Sequence, residues 1–124
     1  MAKDIKLRVL VADDEKPLAT ALKLKLDNAG FETIVARDGA EAIEQFKTGG
    51  FSMVLLDLIM PKKDGFEALE EIRRQDKKVP IFVLSNLEQQ EDINRALKLG
   101  ANGYHIKSNT PISVIVETVK KQLK

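Results

Sequence analysis

Three acids stand where strand-like segments end. Asp13 and Asp14 follow the apolar run Leu10-Val11-Ala12, and Asp57 follows Met53-Val54-Leu55-Leu56. If both runs belong to one parallel sheet, the three carboxylates meet in a crevice at its carboxyl edge. Carboxylates gathered in a partly desolvated place cannot all stay ionised unless a cation joins them. No histidine or cysteine lies nearby in the sequence, and an all-oxygen ligand set favours a hard ion. Mg²⁺ fits best, because it keeps several waters and needs only one or two carboxylates plus a phosphate oxygen. Taken alone, Asp13-Asp14-Glu15 reads equally well as the start of a loop that caps a helix. Asp57 has no such ordinary role: its neighbours on both sides are apolar, and the helix that follows already has a cap in Asp64.

Ser85 ends the run Ile81-Phe82-Val83-Leu84, and Lys107 ends Tyr104-His105-Ile106. A hydroxyl and an ammonium therefore converge on the same edge. A phosphoryl group on Asp57 would meet Mg²⁺, Lys107, the Ser85 hydroxyl and loop amides, with Leu58 and Asn86 beside it. Phosphoryl transfer needs these components, since its loose transition state spreads charge over three oxygens and catalysis is mostly positioning and neutralisation. Alone, Ser85 is an ordinary turn residue and Lys107 an ordinary surface cation; their joint placement gives them meaning.

The elements that must position these groups are five strands, expected at 7–12, 33–36, 53–56, 81–84 and 104–106, each followed by a segment of helical spacing. Start signals stand at Asp38-Gly39-Ala40-Glu41 and Asp64-Gly65-Phe66-Glu67, with Asn86 and Gln89 as a third pair and Thr110 before a first-turn proline, Pro111. Gly30, Gly49-Gly50 and Gly100 mark helix ends. Alternating strands and helices predict an α/β fold, because a parallel crossover needs a connection about the length of a helix. A doubly wound, flavodoxin-like sheet of order 2-1-3-4-5 flanked by five helices puts the first and third strands, the most apolar, at the centre and their ends at the switch point. The chain, 1–124, reads as one domain.

The formal net charge is +1, without the basic excess that gives non-specific affinity for nucleic acid, so direct nucleic-acid binding by this domain is not expected. Cysteine is absent, which excludes disulfides and thiolate metal sites and suits a reducing, cytoplasmic setting. No run approaches the roughly 18 apolar residues of a membrane span. Acids at 13–15 also interrupt anything resembling a signal peptide.

With these residues placed, the chain resembles the receiver domains of response regulators in two-component systems. The resemblance rests on Asp13-Asp14, on Asp57-Leu-Ile-Met-Pro61-Lys-Lys-Asp64-Gly65, on Ser85 and on Tyr104-His-Ile-Lys107, and it spans essentially the whole chain. It implies that Asp57 accepts a phosphoryl group from a phosphohistidine on a sensor histidine kinase or phosphotransfer protein, or from a small donor such as acetyl phosphate. It implies that Asp14, Asp57 and the backbone carbonyl of Ile59 ligate Mg²⁺ directly, that Asp13 acts mostly through water, and that Lys107 pairs with the phosphoryl oxygens. Ser85 would move toward the phosphoryl group and Tyr104 would turn inward behind it, altering the surface of the fourth helix, fifth strand and fifth helix. That surface would engage an output protein, a C-terminal effector domain or a second copy in a phosphorylation-dependent homodimer. On this resemblance the domain is not an enzyme in the usual sense, catalysing only its own phosphorylation and dephosphorylation.

Several positions depart from the family pattern. Ser108 stands where a proline usually follows the lysine, so the loop after the fifth strand is open in geometry. Asn86 replaces a smaller residue and narrows access. Ile59 and Leu87 occupy the two positions that tune attack by water, and two apolar side chains predict a long-lived phosphoryl state. In the first helix the stripe Leu18, Leu22, Leu26 and Ala29 faces inward with Lys25 near it, leaving Leu24 exposed as a candidate for kinase docking. The fifth helix buries Ile112, Ile115, Val116 and Val119 and leaves Val114 outside. His105 lacks a ligand set and reads as structural. A flavin-binding module would need a Ser/Thr/Gly-rich loop where Ala12-Asp13-Asp14-Glu15 stands, and a haloacid-dehalogenase-type hydrolase would need an acid at Ile59. A receiver-like scaffold that signals without phosphate is the alternative.

Overall fold

The computed structural model describes residues 6–123. Strands β1 (Arg8–Ala12), β2 (Glu32–Ala36), β3 (Phe51–Leu56), β4 (Ile81–Ser85) and β5 (Gly103–Ile106) alternate with helices α1 (Lys16–Asn28), α2 (Gly39–Lys47), α3 (Gly65–Gln75), α4 (Gln90–Lys98) and α5 (Ile112–Leu123). All strand pairs are parallel, as the alternation of strands and helices predicts, and the order is the expected doubly wound β2-β1-β3-β4-β5. β3 starts two residues earlier than expected, because Phe51 pairs with Arg8 before a shift in register at Val9.

Each face of the sheet carries its own core. One is built from Leu10, Val54, Leu56 and Val83 against α2 and α3, with Ala96 of α4; the other from Val9, Val11, Met53 and Leu55 against Leu22 and Leu26 of α1 and Ile115, Val116 and Val119 of α5. Alternation along β1 and β3 sends successive side chains to opposite faces, and both strands are covered on both sides, which is why they read as unbroken apolar runs. In α1 the buried stripe is Ala19, Leu22 and Leu26; Leu18 and Ala29 are only half-buried and Lys25 is exposed. Leu24 is exposed, as expected, and so is Val114.

Asp38 and Asp64 cap α2 and α3, each accepting the N–H three residues on, from Glu41 at 2.7 Å and Glu67 at 2.9 Å. The other two start signals are corrected. α4 begins at Gln90 without a side-chain cap, and Asn86 instead turns its Oδ1 to the Ser108 N–H at 3.0 Å. The Thr110 hydroxyl donates to the Ile106 carbonyl at 2.8 Å, while the Pro111 carbonyl accepts the first-turn N–H of Val114. Both residues tie down the loop after β5, a 3-10 turn over Lys107–Asn109, in which every peptide bond is trans.

One polar group braces the far edge. The Arg73 guanidinium, at the end of α3, donates to the carbonyls of Gly100, Asp76 and Val79 and to Asn102 Oδ1, fastening the loop before β5. Among the described residues no helix is long and apolar enough to cross a membrane.

Candidate functional site

Backbone register brings the acids together. Ala12 is level with Leu56 across β1 and β3, the Asp57 N–H donates to the Ala12 carbonyl and the Asp13 N–H to the Ala36 carbonyl, both at 2.9 Å. The two aspartates thus leave adjacent strands side by side, and carboxylate oxygens of Asp13, Asp14 and Asp57 lie within 4.8 Å of one another. Asp13 and Asp57 are buried and Asp14 is exposed. A cavity of about 190 Å³ opens over them, lined by Asp14, Glu15, Asp57, Ile59, Asn86 and Lys107.

Pairing of Ser85 with Ile106 places Lys107 one residue beyond the paired ends of β4 and β5. Its ammonium reaches back to Asp57 Oδ2 at 3.0 Å and to Asp13 Oδ2 at 2.9 Å, and it also holds the Glu15 carboxylate. Burial would lower the Lys107 pKa, but its bonds to Glu15, Asp13 and Asp57 outweigh that and hold it above the ordinary lysine value. The carboxyls of Asp13 and Asp57 are nevertheless raised, because burial outweighs their share of the same ammonium. The cation is thus firmly charged while its partners remain under-neutralised.

That imbalance is the test of fit for a metal. Asp13 Oδ2 is buried and, although 2.9 Å from the ammonium, receives no hydrogen bond. Three carboxylates, those of Asp13, Glu15 and Asp57, share one ammonium, and Asp14 adds a fourth to the acid cluster. The acidic pocket can hold a metal ion, with all-oxygen donors.

The helix-capping reading of Asp13-Asp14-Glu15 fails for Glu15, whose side chain caps nothing; it is Asp13 Oδ1 that accepts the Glu15 N–H, at 2.8 Å. Ile59 is exposed and its N–H donates to Asp57 Oδ1 at 3.2 Å. Leu58 is buried, and its carbonyl accepts the Gly65 N–H at 2.9 Å, closing the loop that carries Ile59. Ser85 is fully buried, with its Oγ accepting the Leu87 N–H at 3.2 Å. The half-buried Tyr104 donates its hydroxyl to the Leu87 carbonyl at 2.7 Å, so Ser85 and Tyr104 meet on the same residue of the loop after β4. Burial raises the Tyr104 pKa, keeping it a donor. His105 contacts the Thr118 hydroxyl and stacks on Phe82, and burial lowers its pKa, in keeping with a structural histidine.

Two features escaped the sequence. Glu15 ends on Lys107 across the crevice, a contact between residues 92 apart that no local spacing announces. Gly65 packs with no room for a side chain against Leu58 and Asp57; the Asp64-Gly65 pair following Asp57 was the available signal.

A doubly wound parallel sheet with an acid cluster at its switch point and a lysine at its rim defines a class of signalling domain. A model of the response regulator receiver domain matches residues 9–120, and the chain belongs to that family. The alkaline phosphatase synthesis transcriptional regulatory protein PhoP of Bacillus subtilis is 35% identical over 107 residues, 86% of this chain and 45% of that protein. The receiver domain of a Francisella response regulator, 1452, superposes with a TM-score of 0.86 at 33% identity, covering 94% of this chain and 96% of that one. The response regulator TrrA of Thermotoga maritima, in complex with Mg(2+)-BeF, superposes with a TM-score of 0.82 at 33% identity, covering 94% and 99%. The chain spans about half the length of the curated relatives it matches. Membership of the family and the acidic pocket are consistent with phosphorylation-dependent signalling.

Proposed function

We propose that residues 1–124 act as one receiver unit whose phosphoryl acceptor is Asp57. The observation that carries this reading is the buried Asp57 carboxylate, held 3.0 Å from the Lys107 ammonium in a pocket of further carboxylates. Asp14, Asp57 and the Ile59 carbonyl would hold Mg²⁺, with Asp13 contributing through water. Bound there, Mg²⁺ supplies positive charge to the transferring phosphoryl oxygens. Lys107 neutralises the same oxygens from the β5 side, and backbone amides near Leu58 and Asn86 complete the cradle. The donor is a phosphohistidine on a sensor histidine kinase or phosphotransfer protein, or a small acyl phosphate.

Ser85 and Tyr104 form the readout. Drawing the Ser85 hydroxyl toward a phosphoryl group loosens its bond to the Leu87 N–H, and Tyr104 is bound to the Leu87 carbonyl. Acceptor and ring are thereby coupled through one loop residue, which gives the two-state element a switch requires. The α4–β5–α5 surface would pass the change to an output protein, to an effector domain or to a second copy.

Intact mass after incubation with Mg²⁺ and acetyl phosphate tests the acceptor. One phosphoryl adduct is expected, absent from Asp57→Asn; lack of an adduct with small donors and with kinase alike would leave a phosphate-independent scaffold as the reading. A second expectation concerns lifetime. Neither Ile59, exposed beside the acceptor, nor Leu87 can orient a hydrolytic water, so the adduct should persist. Ile59→Asn should shorten its half-life on the order of tenfold, about 1.4 kcal/mol of barrier; an equal or longer half-life in that variant would refute the assignment.

A further inference from the structure

We infer that Glu15 is a latch on Lys107 that slows phosphorylation by free dianionic donors, an inference resting on Asp57 being the acceptor. A lysine ammonium has three N–H donors. Here they face three carboxylates, those of Asp13, Asp57 and Glu15, and none is left for a phosphoryl oxygen. One partner must therefore give way when a phosphoryl group arrives. The side chains of Asp13 and Asp57 are 1% and 5% exposed and would lose their one cation with little water to replace it, whereas Glu15 is 55% exposed and can turn into water at little cost. Glu15 is also the one of these acids that lies outside the cluster able to hold a metal ion, so its charge can be removed without removing a ligand.

The second part of the argument is charge. Glu15 lines the mouth of the cavity above Asp57, so a donor passes its carboxylate on the way in. In transfer from acetyl phosphate, an Asp57 carboxylate oxygen forms the new bond to phosphorus as the phosphorus–oxygen bond of the donor breaks, and acetate leaves with that electron pair. With phosphoramidate the phosphorus–nitrogen bond breaks and ammonia leaves, carrying the pair and the protons it already bore. Acetyl phosphate arrives with two negative charges and phosphoramidate with one fewer, so a gate built on repulsion and on competition for Lys107 must separate them.

The test measures the rate of adduct formation for wild type, Glu15→Gln and Glu15→Ala with each donor, at low and high salt. Both variants should react roughly 3–10-fold faster than wild type with acetyl phosphate at low salt, the scale of one charge acting on a dianion roughly 6–12 Å away in bulk water. The gain should be smaller with phosphoramidate and should shrink with added salt. Equal or slower rates, or a gain that ignores donor charge and salt, would overturn the latch, since a purely structural role would shift both donors alike. A second readout needs neither donor nor metal: the Lys107 ammonium protons, followed by ¹⁵N-resolved exchange in the metal-free protein, should exchange faster in Glu15→Gln. Unchanged exchange would also overturn the latch. Wild type that takes no phosphoryl group while this exchange still responds would instead count against Asp57 as acceptor.

Discussion

Replacing Lys107 by methionine should destabilise the fold by about 3 kcal/mol at neutral pH, the lower end for breaking a buried ion pair, and should slow phosphoryl transfer to Asp57 by roughly 100-fold. Methionine keeps the length of the stem and removes the charge, leaving Asp13 and Asp57 side chains that are 1% and 5% exposed without their ammonium. The sign of the pH dependence follows from those carboxyls. Burial already lifts both above the ordinary aspartate value of 3.8, so the native state binds their protons more tightly than the unfolded chain. Their contribution to stability is fully present below pH 3.8 and is lost as pH rises through the folded-state values. Without Lys107 those values climb further, so the deficit of the variant relative to wild type should narrow as pH falls from neutral toward 5. Lys107 itself, raised above 10.5, contributes fully below that pH and loses its contribution only as pH rises through its folded-state value. Urea unfolding of both proteins at several pH values checks this. Asp57→Asn introduced beside Lys107→Met should restore part of the loss, because one of the two uncompensated buried charges goes with it and only that of Asp13 remains. A deficit that is constant with pH, or a double variant no more stable than the single one, would show that Lys107 acts through packing.

The strand ends were legible because burial and chemistry coincide there. An apolar run that stops at an acid marks both the edge of the core and the place where a charge can survive, and β1 and β3 each stop so, at Asp13 and Asp57. The central place of β1 and β3 followed from the same runs, since strands covered on both faces can be apolar throughout. What was not legible depends on side chains choosing partners far away in sequence. Asn86 carries a cap-forming side chain before a helix, yet it binds the loop after β5, which lies within reach only once β4 and β5 are paired, while Thr110 turns back four residues to the Ile106 carbonyl. Glu15 sits at the start of α1, where an acid ordinarily serves the helix, and the Asp13 carboxylate has already taken its N–H. Its own carboxylate caps no helix amide and is free for Lys107. No sequence motif singles out Arg73, and only the approach of the Gly100 loop gives its guanidinium a carbonyl to brace.

Gly65→Ala should abolish more function than its size suggests. In an ordinary helix interior alanine is favoured over glycine by about 1 kcal/mol, and Gly65 has no positive φ that would demand glycine. Close approach decides the sign instead: a Cβ there would sit 2.3 Å from Leu58 Cα and 2.4 Å from the Asp57 carbonyl oxygen. Both are backbone atoms of the segment that carries the acceptor, so no rotamer change can relieve them. The loop between β3 and α3 must shift by about 1 Å, and displacement on that scale can lower a positioned reaction by roughly 100-fold. Overpacking of this kind destabilises by about 1–3 kcal/mol. The Gly65 N–H bond to the Leu58 carbonyl, which closes that loop, should lengthen as well. Gly49→Ala supplies the contrast, since Gly49 has φ of 83° with nothing within 4 Å of a Cβ. There only backbone strain is added, about 1–2 kcal/mol, far from Asp57. Adduct formation should therefore fall steeply in Gly65→Ala and stay at the wild-type rate in Gly49→Ala even when the two lose similar stability. If Gly65→Ala took up phosphate at the wild-type rate, the close packing of α3 under Asp57 would have no part in positioning the acceptor.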